Sequence, residues 1–296
     1  MIIPLRKSVD FPVGRLSFLE WKGRERAPLI VFAHANGFNA NTYRVLLSPL
    51  AERFRVIALD MRGHGRTTLP TDAKLIAGWR VYRDDLLELL RRVVGSQVLL
   101  AGHSLGASAS LMAASRHPAG VQAVVLVEPV LPPFRLSFRG SLARVLGRQD
   151  TMLPRVAPAR RRRRQFESRE QAVAGFRGRG AFKSWPDDVV ADYIEGGTEP
   201  SDEGYRLSCA PEWEAANFAV FPFGLAALAG RVAVPLTVLH AAQDSSAPKG
   251  ELQRIRCSNH EARVLCVGGT THFLPMERPD IVRAEIVSTA ERAGML

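Results

Sequence analysis

Cysteine is scarce in this chain of 296 residues: Cys209, Cys257 and Cys266 are odd in number and show no CxxC spacing. That excludes a disulfide framework and a cysteine zinc site, and it fits a reducing, cytoplasmic setting. No apolar run approaches the ~18 residues of a membrane span, and the opening Met1-Ile2-Ile3-Pro4-Leu5-Arg6-Lys7 is not followed by an apolar signal core. We therefore expect no stable membrane insertion. Lysine is nearly missing as well. Only Lys7, Lys22, Lys74, Lys183 and Lys249 are lysines among the 40 basic residues, so the net charge of +11 is an arginine bias spread over the whole chain. The run Arg160 to Arg164 is its densest point. Five consecutive arginines cannot share one helix face, and no aromatic residues interleave them as base stacking requires. A nucleic-acid partner is not expected; a solvated basic face, or attraction to an anionic substrate or surface, accounts for the run.

What the chain does contain is organised around Gly102-His103-Ser104-Leu105-Gly106. The apolar run Gln97 to Ala101 precedes it and the small-residue stretch Ala107 to Ser115 follows, which reads as strand, sharp turn and helix with a serine at the apex. Flanking glycines permit the tight turn, and the hydroxyl stands clear of the sheet above unpaired N–H groups at the helix start. A serine is a poor nucleophile near neutral pH, so it requires a histidine base and a carboxylate to orient that base. Downstream, Pro235 to His240 reads as a strand followed by Ala241-Ala242-Gln243-Asp244, and Ala262 to Val267 reads as a strand followed by Gly268-Gly269-Thr270-Thr271-His272. Asp244 and His272 are thus expected just beyond the carboxyl ends of two strands, where open α/β sheets keep their ligand sites. Glu128, ending the strand Val124 to Val127, is the rival for the acid; Asp244 is preferred because it alone lies on the strand that precedes the histidine.

Acyl chemistry also needs two donors for the developing oxyanion. The N–H of Leu105 supplies one. The loop His34-Ala35-Asn36-Gly37-Phe38, after the strand Pro28 to Ala33, supplies the other from Asn36, with Gly37 as the neighbouring possibility and His34 pinning the loop.

Taken together, Phe32 to Phe38, Leu59-Asp60-Met61-Arg62-Gly63-His64-Gly65-Arg66, Gly102 to Gly106 and Gly269 to Pro279 resemble the motifs of the α/β-hydrolase superfamily, in the same order. The resemblance implies an α/β fold, a mainly parallel central sheet with helices on both faces, and a Ser–His–Asp site that forms an acyl-enzyme. It also implies no metal and no organic cofactor. The oxyanion loop departs from the family in reading His34-Ala35 where many members have His-Gly. The stretch Ser245-Ser246-Ala247-Pro248 is unusually small and neutral, a feature expected to bear on pocket shape alone. Serine at the elbow, in place of the aspartate of dehalogenase-like and epoxide-hydrolase-like members, points to acyl transfer to water.

Between about Leu131 and Gly230 the sheet pattern stops, and helix-like stretches alternate with proline and glycine breakers. We expect residues 1–130 and 231–296 to form the core and 131–230 a helical cap. Its aromatics, among them Phe134, Phe138, Phe176, Phe182, Trp185, Phe218 and Phe221, are candidates in part for a substrate pocket and otherwise for cap packing. Ala73 to Val94 and Pro279 to Gly294 read as amphipathic helices that clasp the sheet. The leading expectation is a serine hydrolase acting on a small carboxylic ester, lactones included. Acyl transfer, C–C cleavage or perhydrolysis on the same triad, and a non-catalytic binding protein on this fold, stand as the alternatives.

Overall fold

The computed structural model describes residues 2–93 and 97–296. Eight strands form the central sheet: β1 (Leu5–Phe11), β2 (Gly14–Trp21), β3 (Leu29–Ala33), β4 (Arg55–Leu59), β5 (Val98–His103), β6 (Val121–Val127), β10 (Leu236–Ala241) and β11 (Arg263–Val267). Their order is β1-β2-β4-β3-β5-β6-β10-β11. β1 and β2 are antiparallel to their neighbours, and every pair from β4 to β11 is parallel. Strands buried on both faces read as continuous apolar runs, and β3, β5 and β6 do so: of their residues only Gln122 is exposed.

Alternate residues of those strands feed two cores. On one face Leu29, Val31 and Leu100 pack with Tyr82, Leu86 and Leu90 of the helix Arg80–Arg92 and with the helices Leu105–Ala114 and Lys249–Ser258. On the other, Ile30, Phe32, Leu99 and Val125 pack with Leu46, Leu47 and with Val282 and Ile286 of the helix Pro279–Arg292. The helix expected over Ala73 to Val94 starts only at Arg80, after Gly78 at φ 153°, and Val94 lies outside the described residues.

The segment between β6 and β10 is not helical throughout. Besides the helices Phe134–Val145, Val156–Arg160, Arg169–Phe176, Asp187–Gly197 and Pro211–Phe218, it holds a small antiparallel sheet of β7 (Gln165–Phe166), β8 (Thr198–Ser201) and β9 (Gly204–Leu207), in the order β7-β9-β8. Among the described residues, no helix is long and apolar enough to cross a membrane.

Candidate active site

β5 delivers Ser104 into a turn that the rest of the fold holds under strain. Its φ of 56° and ψ of −119° lie outside the ordinary regions for a side chain with a Cβ, a conformation costing about 1–3 kcal/mol and found where function demands it. The flanking glycines serve a different purpose from the expected one. Neither has positive φ; they are needed for room. A Cβ on Gly106 would sit 2.2 Å from the carbonyl oxygen of Ala33, and one on Gly102 would sit 2.6 Å from the carbonyl carbon of Gly106. The helix Leu105–Ala114 can therefore press against the end of β3, which carries the oxyanion loop.

His272, in the loop after β11, places Nε2 3.0 Å from Ser104 Oγ. Its Nδ1 lies 2.9 Å from an oxygen of Glu128, not of Asp244. The structure does not bring Asp244, the expected acid, to His272; it brings Glu128 there instead. Asp244 is exposed, at φ 49°, and makes no hydrogen bond or ion pair among the described residues. Glu128 is wholly buried, and it too has positive φ, 49°. β6 lies between β5 and β10, so a side chain leaving its end stands between the serine and the loop after β10.

That loop furnishes donors in place of an acid. Glu128 Oε1 accepts from the Ala241 N–H at 2.6 Å and the Ser245 hydroxyl at 2.7 Å, while Oε2 accepts from the Ser246 N–H at 2.9 Å. The Ser246 hydroxyl also bonds the Glu128 carbonyl at 2.9 Å. The small, neutral stretch after Asp244 is thus the seat of the Glu128 carboxylate, a role its residue types alone do not announce. Burial pushes the Glu128 carboxyl up, but the hydrogen bonds from His272, Ala241 and Ser246 outweigh it, and the net shift is below the ordinary value. An ionised carboxylate only accepts, so Nδ1 of His272 carries the proton and Nε2 is left to accept from Ser104.

The oxyanion donors were expected at Leu105 and Asn36, and both residues line the same cavity as Ser104. Their backbone N–H groups have no acceptor among the described residues. The N–H of Gly37 donates to His64 Nε2 at 2.9 Å and is not free. Asn36 is also tied by its side chain, whose Nδ2 donates to the Glu214 carbonyl at 3.0 Å.

Two further buried histidines, His34 and His103, hold the surrounding loops. His34 donates from Nδ1 to the Ala35 carbonyl at 2.7 Å and accepts the Met61 N–H on Nε2 at 2.8 Å, which clamps the loop after β3 to the loop after β4. Asp60 reinforces that clamp by accepting from the Ala40 and Arg66 N–H groups at 2.9 Å each. His103 links the elbow to both sides of the site: the Ala35 N–H donates to the Tyr43 hydroxyl at 3.0 Å, Tyr43 lies 2.7 Å from His103 Nδ1, and His103 Nε2 lies 2.8 Å from the carbonyl of His272. With Nε2–H donating to that carbonyl, Nδ1 accepts from Tyr43. Sequence reasoning missed Tyr43 and the part played by His103, because both depend on partners far along the chain.

Above Ser104 lies a cavity of about 270 Å³, walled by Leu131, Leu136, Leu153, Phe218 and Phe221. Of the aromatics expected near a pocket, Phe218 and Phe221 line it. Phe176, Phe182, Trp185 and Tyr193 instead pack on one another and, through Phe38 and Phe273, against the histidine loop. Within the arginine run, Arg162 turns inward to Glu214 at 2.5 Å and the Tyr193 hydroxyl at 2.6 Å, so the run is not a uniformly solvated face.

The model of the Alpha/beta hydrolase family matches residues 30–285. The chain belongs to this family. It is 24% identical over 280 residues to 2-(acetamidomethylene)succinate hydrolase of Mesorhizobium japonicum, across 93% of this chain and 92% of that protein. Esterase Rv0045c of Mycobacterium tuberculosis is 29% identical over 125 residues, 42% of this chain and 40% of that one. Among solved structures, E-2-(acetamidomethylene)succinate hydrolase matches with a TM-score of 0.75 at 24% identity, covering 97% of this chain and 99% of that one. The thioesterase domain from the curacin biosynthetic pathway matches with a TM-score of 0.77 at 19% identity, covering 96% and 99%. These structural likenesses show a common α/β-hydrolase fold; the family and its named relatives support hydrolase activity.

Proposed function

We propose that this alpha/beta hydrolase cleaves carboxylic esters, lactones included, through an acyl-enzyme on Ser104. The observation that carries the reading is the unbroken line from Ser104 Oγ through His272 to the buried carboxylate of Glu128, with links of 3.0 and 2.9 Å. Ser104 attacks the carbonyl carbon as His272 Nε2 takes its proton, and Glu128 stabilises the resulting imidazolium. The N–H groups of Leu105 and Asn36 receive the oxyanion. His272 returns the proton to the leaving alkoxide, then activates water to release the acid. Residues 131–230 act as the cap, and the apolar wall of the cavity selects an apolar acyl or alcohol group. The cysteines are all free, and a reducing, cytoplasmic compartment is the setting we propose.

The test is release of p-nitrophenol from short- and medium-chain acyl esters by the wild type and by Ser104→Ala. Wild-type turnover that falls at least ~10³-fold in the variant supports the reading. If neither protein turns over, and a fluorophosphonate leaves Ser104 unlabelled, the nucleophile is not activated and a binding protein on this fold is the better reading.

A further inference from the structure

The helix Phe134–Val145 is turned inside out. Its buried residues are Ser137, Gly140 and Ala143, the small ones, and they allow close approach: a Cβ on Gly140 would lie 3.0 Å from the ring of Phe221, and the Ser137 hydroxyl donates to the Pro222 carbonyl at 3.0 Å. The large apolar residues face solvent. Phe134 is 65% exposed, Phe138 57% and Val145 83%, with Leu142 and Leu146 also exposed. Phe134 stacks on Phe138 with ring centroids 6.4 Å apart and touches the exposed Phe223 at 5.5 Å, so the patch continues onto the next segment. At 100° per residue, Phe134, Val145, Phe138 and Leu142 fall within one narrow stripe, and Arg135 and Arg139 run along its edge. Arg135, Arg139 and Arg148 pair with no carboxylate among the described residues. A contiguous exposed patch of this kind marks an interaction surface.

We propose that this face docks in the headgroup region of an anionic lipid bilayer, with the phenylalanines at the acyl boundary and the arginines on lipid phosphates. An apolar stripe edged by arginine is the pattern of a helix that lies in a membrane interface. The charge distinguishes this occupant from a second copy of the chain. A two-fold contact between copies sets the same patch against itself, bringing Arg135 and Arg139 toward their own counterparts with no carboxylate to offset them, on a chain of net charge +11. An anionic surface meets the same arginines with attraction. The opposite side of the helix contributes Leu136 to the cavity over Ser104, so docking sets that cavity close to the lipid. The inference does not depend on chemistry at Ser104, because binding is read without turnover.

The experiment is co-sedimentation of the full chain with vesicles of phosphatidylcholine alone and of phosphatidylcholine with about a quarter phosphatidylglycerol. Wild type and Ser104→Ala should pellet alike with the anionic vesicles, and less with the neutral ones. The double variant Phe134→Ser/Phe138→Ser should bind the anionic vesicles at least about tenfold more weakly, since each phenylalanine otherwise leaves water for an apolar environment. Arg135→Glu/Arg139→Glu should lose the preference for anionic lipid. All variants should keep the wild-type melting curve, and the phenylalanine pair should keep turnover of a soluble short ester. Failure of the wild type to pellet overturns the proposal even if a variant misfolds. Equal binding to both vesicle types also overturns it, as does a light-scattering dimer that Phe138→Ser dissolves in the absence of lipid binding.

Discussion

Replacing Glu128 by glutamine changes one atom and removes the charge that fixes the His272 tautomer. The carboxylate accepts the Ala241 N–H and Ser245 hydroxyl on one oxygen, and the Ser246 N–H and His272 Nδ1 on the other. An amide has a single oxygen, so its NH₂ group must face one of these donor sets. Facing His272, it donates to Nδ1 and forces the proton onto Nε2, where the ring can no longer accept from Ser104. Facing Ala241, it sets N–H against N–H in a buried site and leaves a backbone donor unpaired, at about 1–3 kcal/mol of stability. The wrong tautomer costs a triad ~10⁴ in kcat, or about 5 kcal/mol of transition-state stabilisation. We therefore expect Glu128→Gln to lose three to four orders of magnitude, as a rough range, in kcat for a p-nitrophenyl ester, with little change in KM. Asp244→Asn, at an exposed site with no partner among the described residues, should stay within about twofold of wild type. The paired assay decides between them. Full activity in Glu128→Gln together with collapse in Asp244→Asn refutes the reasoning.

Other perturbations follow from the same network. Burial holds His34 at a pKa of about 4, and burial with the neighbouring His34 or His272 holds His64 and His103 at about 3, against an ordinary 6.5. Below about pH 6.5 the unfolded chain therefore binds protons that the folded chain refuses, and stability falls with pH. The loss is roughly 1.4 kcal/mol per histidine, or about 4 kcal/mol in all, between about pH 7.5 and 5.5, which urea titration at the two pH values measures; a flat response contradicts the assignment. Tyr43→Phe removes the hydroxyl between the Ala35 N–H and His103 Nδ1, leaving two buried polar groups unpaired, and should destabilise by about 1–3 kcal/mol in the same titration. Gly106→Ala drives a Cβ to 2.2 Å from the Ala33 oxygen, and should yield protein that is insoluble or lacks the cooperative melting transition of the wild type.

Much of this architecture was legible because parallel strands buried on both faces leave uninterrupted apolar runs, and because a site residue that directly follows such a run has its place set by the strand. Ser104 directly after β5 is of this kind; His272 follows the half-buried edge strand β11 by five residues, and its place rests on the loop between them. Other features rest on relations that no local pattern carries. Whether the helix Phe134–Val145 buries its phenylalanines or its Ser137, Gly140 and Ala143 depends on the Phe221 ring and the Ala219 and Pro222 carbonyls that it meets. The inward turn of Arg162 depends on Glu214 and Tyr193, both distant in sequence. Tyr43 is an unremarkable aromatic until β3 and β5 are set side by side.

The acid is the instructive case, since both candidates follow strands and the ends of β6 and β10 are neighbours, Val127 standing opposite Leu239. Position along the chain does not separate them; what separates them is which carboxylate is given a seat. A buried carboxylate needs its oxygens filled by donors, or its charge is lost to desolvation. Around Glu128 the loop after β10 provides Ala241, Ser245 and Ser246, and the carboxylate stays ionised beside His272. Asp244 sits on the loop that supplies those donors and is itself turned out to solvent. In this chain that loop carries the hydrogen bonds and β6 carries the charge. Two of those three donors are backbone N–H groups, which almost any residue supplies, so the stretch after Asp244 reads as a carboxylate seat only once it is set beside the end of β6.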